Sequence, residues 1–91
     1  MSALHVVVRG RVQGVGFRWF VREAARRADL AGWVRNRPDG SVEVTGEGTD
    51  SAIQSMRRAL AHGPPGALVS SVEELHSPAE LSMGRPFTIV R

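Results

Sequence analysis

LHVVVRGRVQGVGFR, Leu4 to Arg18, changes character twice within one short stretch. Leu4 to Arg11 is rich in β-branched residues and bounded by glycine, which predicts an interior strand. Gln13, Gly14, Val15, Gly16 and Phe17 follow as a glycine-bearing loop. A helical period then begins at Arg18, with Phe20, Val21, Ala24, Ala25 and Ala28 on one face and Gly32 as the expected stop after Leu30. Arg18 thus falls in a first helical turn, where the positive end of the dipole disfavours a cation by a few tenths to ~1 kcal/mol. An anion held in front of the loop would reverse that sign. Glycines let successive amides converge, the helix start adds partial positive charge, and an arginine supplies a planar fork of donors to phosphate or carboxylate. Taken alone, the stretch is more simply read as a plain tight turn with Arg18 in solvent.

Working outward, Trp33 to Arg37 and Val42 to Gly46 read as two short strands. The turn formers of Arg37-Pro38-Asp39-Gly40-Ser41 join them into a hairpin. Thr49 or Asp50 is the expected N-cap of a second helix carrying Ile53, Met56 and Leu60 at helical spacing, stopped by Gly63, Pro64 and Pro65. Val69 to Leu75 predicts a further strand and Phe87 to Val90 a last one, separated by a loop containing Ser, Pro and Gly. The order β, α, β, β, α, β with a final short strand is that of an α+β fold. Its simplest arrangement is a ferredoxin-like sandwich, an antiparallel sheet of four to five strands with two helices on one face.

The 91 residues suffice for one compact core, so a single domain over 1–91 is expected. Hydrophobic residues at 42% and charged residues at 23% are ordinary globular usage. No apolar run approaches the ~20 residues of a spanning helix, and MSALHVVVRG lacks the features of a secretory signal. A cytoplasmic protein is therefore expected, away from membranes. Cysteine is absent, which excludes disulfides, thiolate metal sites and a cysteine nucleophile. All twelve basic side chains are Arg. With no Lys, Tyr or Cys to titrate above neutrality, the pI near 11.3 overstates a net charge of only +3, which does not demand a nucleic-acid partner.

The loop is not one of the nucleotide cradles. A Walker loop requires Lys followed by Ser or Thr, and the dinucleotide fingerprint spaces its glycines differently within a parallel βαβ unit. A second segment, GWVRNRPDGSVEV from Gly32 to Val44, sets Asn36 at the end of a strand, just before the turn. Asn in that position is commonly a turn residue, yet its carboxamide can also hold a water by donating and accepting.

Together these segments resemble the acylphosphatase family. GRVQGVGFR and GWVRNRPDGSVE align with its two signatures, GPPGALV and FTIV match weaker later ones, and the likeness covers nearly the whole chain. The resemblance implies the five-stranded ferredoxin-like fold and hydrolysis of acyl phosphates to carboxylate and phosphate by a bound water, without metal, cofactor or covalent intermediate. It also implies that Arg18 and the cradle of Gln13, Gly14, Val15, Gly16 and Phe17 bind phosphate, while Asn36 positions the attacking water. The chemistry agrees with the residues. The leaving carboxylate has a conjugate acid of pKa roughly 4 to 5, so it needs no general acid, unlike the alkoxide of a phosphomonoester.

Other residues carry plainer expectations. His5, His62 and His76 sit on separate elements without ligand spacing, so no metal site is expected. Trp19, Phe20, Trp33 and Phe87 are assigned to core or half-buried packing. Arg22, Arg26 and Arg27 read as a solvated helix face, with Glu23 pairing to Arg26 or Arg27. Arg57 and Arg58 follow the same logic, and Arg35 and Arg37 are expected to point away from the buried face or toward the turn. The competing functions are a non-catalytic phosphate-binding module, as in acylphosphatase-like domains of larger carbamoyl-transfer maturation proteins, and an RNA-binding module. The strand VEVTGE offers no aromatic for base stacking and carries acid, which disfavours RNA. A chain ending where the small fold ends favours a free-standing monomeric enzyme whose partner is a small-molecule acyl phosphate.

Overall fold

A computed structural model of the chain describes residues 1–76 and 84–91. Its elements are β1 (Ser2–Arg11), α1 (Phe17–Arg27), β2 (Ala31–Asn36), β3 (Val42–Gly48), α2 (Asp50–His62), β4 (Leu68–Glu74) and β5 (Thr88–Ile89). They build a five-stranded sheet in the order β4-β1-β3-β2-β5. The strands pair antiparallel except for β2 and β5, which run parallel. The element order matches the expected ferredoxin-like α+β plan. Residues 77–83, within the loop expected between the last two strands, lie outside the described residues. Among those described, no helix is long and apolar enough to cross a membrane.

Period-2 alternation decides which strand residues meet the helices. Leu4, Val6 and Val8 of β1, Val34 of β2 and Val42 and Val44 of β3 share one buried cluster with Phe17, Val21 and Ala25 of α1 and Ile53, Met56 and Leu60 of α2. The intervening residues line the other face of the sheet. There Trp33 and Glu43 are buried, the Glu43 carboxylate accepts from Arg35 Nε at 2.9 Å, and it lies 2.6 Å from His5 Nε2. Burial pushes the Glu43 carboxyl up, but the hydrogen bonds from His5 and Arg35 outweigh it and hold its pKa below the ordinary 4.5. The Arg35 guanidinium also stands 4.9 Å from the Trp33 ring centre. Arg35 therefore points away from the helix-covered face, as alternation predicts.

α2 starts as expected, with the Thr49 side chain accepting from the Ala52 amide at 3.1 Å, and Gly63 caps its end. α1 ends earlier than Leu30, and Gly32 is not its stop. Asp29 takes the left-handed conformation (φ 56°), the Leu30 amide donates to the Ala25 carbonyl at 2.9 Å and the Asp29 amide to the Arg26 carbonyl at 3.1 Å. That is a Schellman closure with Asp in the position usually held by Gly, a substitution Asp tolerates better than most residues. Gly32 belongs to β2, at φ 141°, where a β-carbon would lie 2.1 Å from the Thr45 carbonyl oxygen. Its glycine is required by the approach of β3.

One ion-pair expectation is corrected. Glu23 pairs with Arg22 at 3.3 Å, not with Arg26 or Arg27. Arg26 instead donates from Nε to the Phe87 carbonyl at 2.9 Å, fastening α1 to the segment entering β5. Helical spacing names which residues are neighbours on the helix, but the backbone of another element outcompetes a solvated carboxylate for the guanidinium.

Candidate active site

The loop between β1 and α1 runs through Gly14 and Gly16, both at φ 76°. Side chains rarely adopt this conformation, and a β-carbon at either position would meet nothing within 4 Å. The glycines are there for backbone direction, and the space in front of them is open. Gly16 is also the N-cap of α1, with no side-chain hydrogen bond to the helix start and no acid in the first turn. The first amides of α1 therefore keep their donor capacity and the positive end of the dipole. Phe17, 1% exposed, anchors this turn in the core; burying such a ring contributes about 1.5–3 kcal/mol.

Arg18 leaves the same turn. Among the described residues its guanidinium has no hydrogen-bond or carboxylate partner. The two carboxylates of the segment that carries Asn36 are engaged elsewhere. Asp39 accepts from the Ser41 hydroxyl and, at 3.0 Å, from the Ser41 amide, and lies 3.1 Å from Arg9 Nη1. The Ser41 hydrogen bonds, and after them Arg9, hold its carboxyl well below the usual carboxylate range. Glu43 is tied to His5 and Arg35 on the far face of the sheet.

Asn36 takes the next inward position after Val34 at the end of β2, beyond the apolar core. Its Oδ1 is buried and has no hydrogen-bond partner among the described residues. A buried carbonyl oxygen left unpaired costs roughly 1–3 kcal/mol, so its retention calls for an explanation. Arg18 and Asn36, separated in sequence, line one pocket of about 270 Å³. Gly14 and Gly16 complete its polar lining, and Val12, Phe17, Trp19 and Ile89 supply its apolar lining.

Gln13 and Val15 do not line this pocket. Val15 packs against the core. The Gln13 carboxamide donates from Nε2 to the carbonyls of Arg37 and Ser41, each at 2.9 Å, and so joins the loop to the β2–β3 hairpin. Trp19 departs from the packing role expected of it. It is 59% exposed, while Trp33 and Phe87 are buried and Phe20 packs against the core. Its place beside Arg18 is the sequence signal that could have placed it at the pocket: an apolar period that includes Phe20 and Val21 leaves Trp19 off the buried face.

An uncapped helix start, an unpaired guanidinium and an orphaned carboxamide oxygen around one pocket, on a ferredoxin-like sandwich, define a class of protein that handles a small oxyanion and a water. The acylphosphatase family profile matches residues 4–89. A curated acylphosphatase of Rhizobium etli is 49% identical over 97% of this chain and 93% of its own. The crystal structure of acylphosphatase from Bacillus subtilis superposes with a TM-score of 0.82, at 44% identity and full coverage of both chains. The same fold also forms part of a longer protein: T. kodakarensis HypF matches with a TM-score of 0.82 at 34% identity, over all of this chain and 12% of that one. The chain belongs to the acylphosphatase family, and it is an acylphosphatase by sequence and by fold.

Proposed function

We propose that the chain, acting as a single domain, hydrolyses acyl phosphates in the pocket between the β1–α1 loop and the end of β2. Arg18 and the amides of the loop from Gln13 to Phe17 bind the phosphoryl group, and Asn36 holds the attacking water. The observation that carries this reading is the buried, unpartnered Asn36 Oδ1 in the pocket that Arg18 also lines. A water donating one proton to that oxygen satisfies it and keeps a lone pair for phosphorus.

The work required is small and matches what is present. Phosphoryl transfer is dominated by charge neutralisation and in-line positioning. The loop amides, the helix start and the guanidinium supply fixed positive charge that needs no reorganisation during reaction. The leaving carboxylate departs unprotonated, so neither a general acid nor a Lewis acid is needed on that side. Among the described lining residues none is a carboxylate, imidazole, hydroxyl or thiol. That set supports direct attack by water without a covalent intermediate, with a substrate phosphate oxygen taking the proton. On this reading the chain acts in the cytoplasm as a monomer on a small-molecule acyl phosphate and needs no nucleic acid.

The test is phosphate release from acetyl or benzoyl phosphate with a chelator present, beside a phosphomonoester. Turnover of the anhydrides alone, unaffected by chelator, is expected. Loss of activity with chelator, or equal turnover of the monoester, would overturn the mechanism.

A further inference from the structure

Three large apolar side chains stand out as exposed among the described residues, Met1, Trp19 and Leu68, and Trp19 is the one that lines the pocket. It follows Arg18 in the first turn of α1 and lines the same pocket, within reach of what is attached to a phosphoryl group held there. The ring is not loose. The Arg22 guanidinium, one helical turn further on, stands 5.2 Å from its centre and is itself paired with Glu23 at 3.3 Å. Val12, just past the end of β1, and Ile89 of β5 bring aliphatic surface to the same pocket. The aliphatic side chains of Val12 and Ile89 have nothing to offer a phosphoryl oxygen, and folding leaves 59% of Trp19 in water.

We propose that Trp19 is the acyl-side specificity residue, and that the pocket favours acyl phosphates whose acyl group is aromatic or broadly apolar over those ending in a methyl or an amino group. The inference rests on the phosphoryl reading of Arg18. A planar acyl group laid against a held indole removes apolar surface from water on both partners and gains offset-stacking contact. A methyl group covers little of the ring, and an amino group would be desolvated without a partner there. Because the acyl group stays on the indole as the carbon–oxygen–phosphorus linkage opens, the contact acts mainly on binding and is read in kcat/KM.

The experiment measures kcat/KM for benzoyl phosphate and for acetyl phosphate in the wild type, Trp19→Ala, Trp19→Phe and Arg18→Ala. The benzoyl-to-acetyl ratio is expected to fall about tenfold in Trp19→Ala, the upper range for an aromatic pair, and to recover most of that loss in Trp19→Phe. A ratio unchanged in Trp19→Ala overturns the proposal, whether both rates hold or both fall together, since a merely structural role of the indole would move the two substrates equally. The phosphoryl reading is judged separately by Arg18→Ala. A collapse on both substrates with an unchanged Trp19→Ala ratio sinks only the acyl-side assignment, and survival of Arg18→Ala on both sinks the site on which it rests.

Discussion

The carboxamide of Gln13 reaches the carbonyl of Arg37 at 2.9 Å, the residue that follows Asn36 in the chain. Because the same Nε2 also donates to the Ser41 carbonyl, the glycine loop and the hairpin bearing Asn36 are held as one body. Both carbonyls keep a second partner, Arg37 accepting from the Gly40 amide and Ser41 from the Arg37 amide. Gln13→Leu therefore removes two bonds without leaving either acceptor bare, and should destabilise by about 1–2 kcal/mol. The water and the phosphoryl group would then be held by two parts free to shift against each other, so kcat should fall about tenfold. Urea titration beside steady-state kinetics checks both; a full kcat with the expected stability loss would remove the positioning role.

Arg18→Ala should lower turnover of benzoyl phosphate by on the order of 10² to 10³, the usual effect of losing one preorganised donor. Its stability should move the other way. Removing an unpartnered cation from the start of α1 relieves a few tenths to ~1 kcal/mol. A Tm equal to or slightly above wild type, together with the rate loss, is the expected pair of results.

Asn36→Ala separates catalysis from binding. The side chain is assigned to water, so kcat should drop by roughly 10² while KM for the acyl phosphate changes little. The variant also deletes a buried acceptor that has no partner among the described residues, and it should not be much less stable than wild type. A rise in KM at constant kcat would assign Asn36 to substrate binding instead.

Glu43 makes stability depend on pH in a definite direction. Its carboxyl holds a proton less tightly in the folded chain than at its ordinary 4.5, so unfolding at low pH takes up a proton. The stabilisation is complete above pH 4.5 and is lost as the pH falls through the lower folded-state value. Glu43→Gln should have a lower Tm than wild type at pH 7, and the gap should close in the acid range as the wild type protonates. A constant gap across that range would show that the side chain acts through packing and not through its charge.

How much of this was legible in the chain differs from residue to residue. Val6, Val8, Val34 and Val44 announce their strand faces because a period of two leaves no other way to bury them. Thr49 announces the start of α2 because its hydroxyl bonds a backbone amide three residues on, a contact made inside one turn. Asp29 was missed as the end of α1 because a left-handed Asp has no strong local signal and the more usual stop, Gly32, lay close by. Arg26 was missed as a tie to Phe87 because its acceptor lies 61 residues away.

Local chemistry within the chain determined that this protein has a strand, a glycine loop and a helix in series, that Arg18 sits where an anion is wanted, and that Asn36 ends a strand before a tight turn. Each of those follows from interactions over a few residues, whose geometry is the same wherever the segment lies. Only the tertiary structure decided that Arg18 and Asn36 line the same pocket, that Gln13 ties loop to hairpin and that Trp19 is left exposed at the pocket. Those depend on strand order, register and the burial of Phe17 against the sheet, which are set by packing all the apolar faces into one core at once.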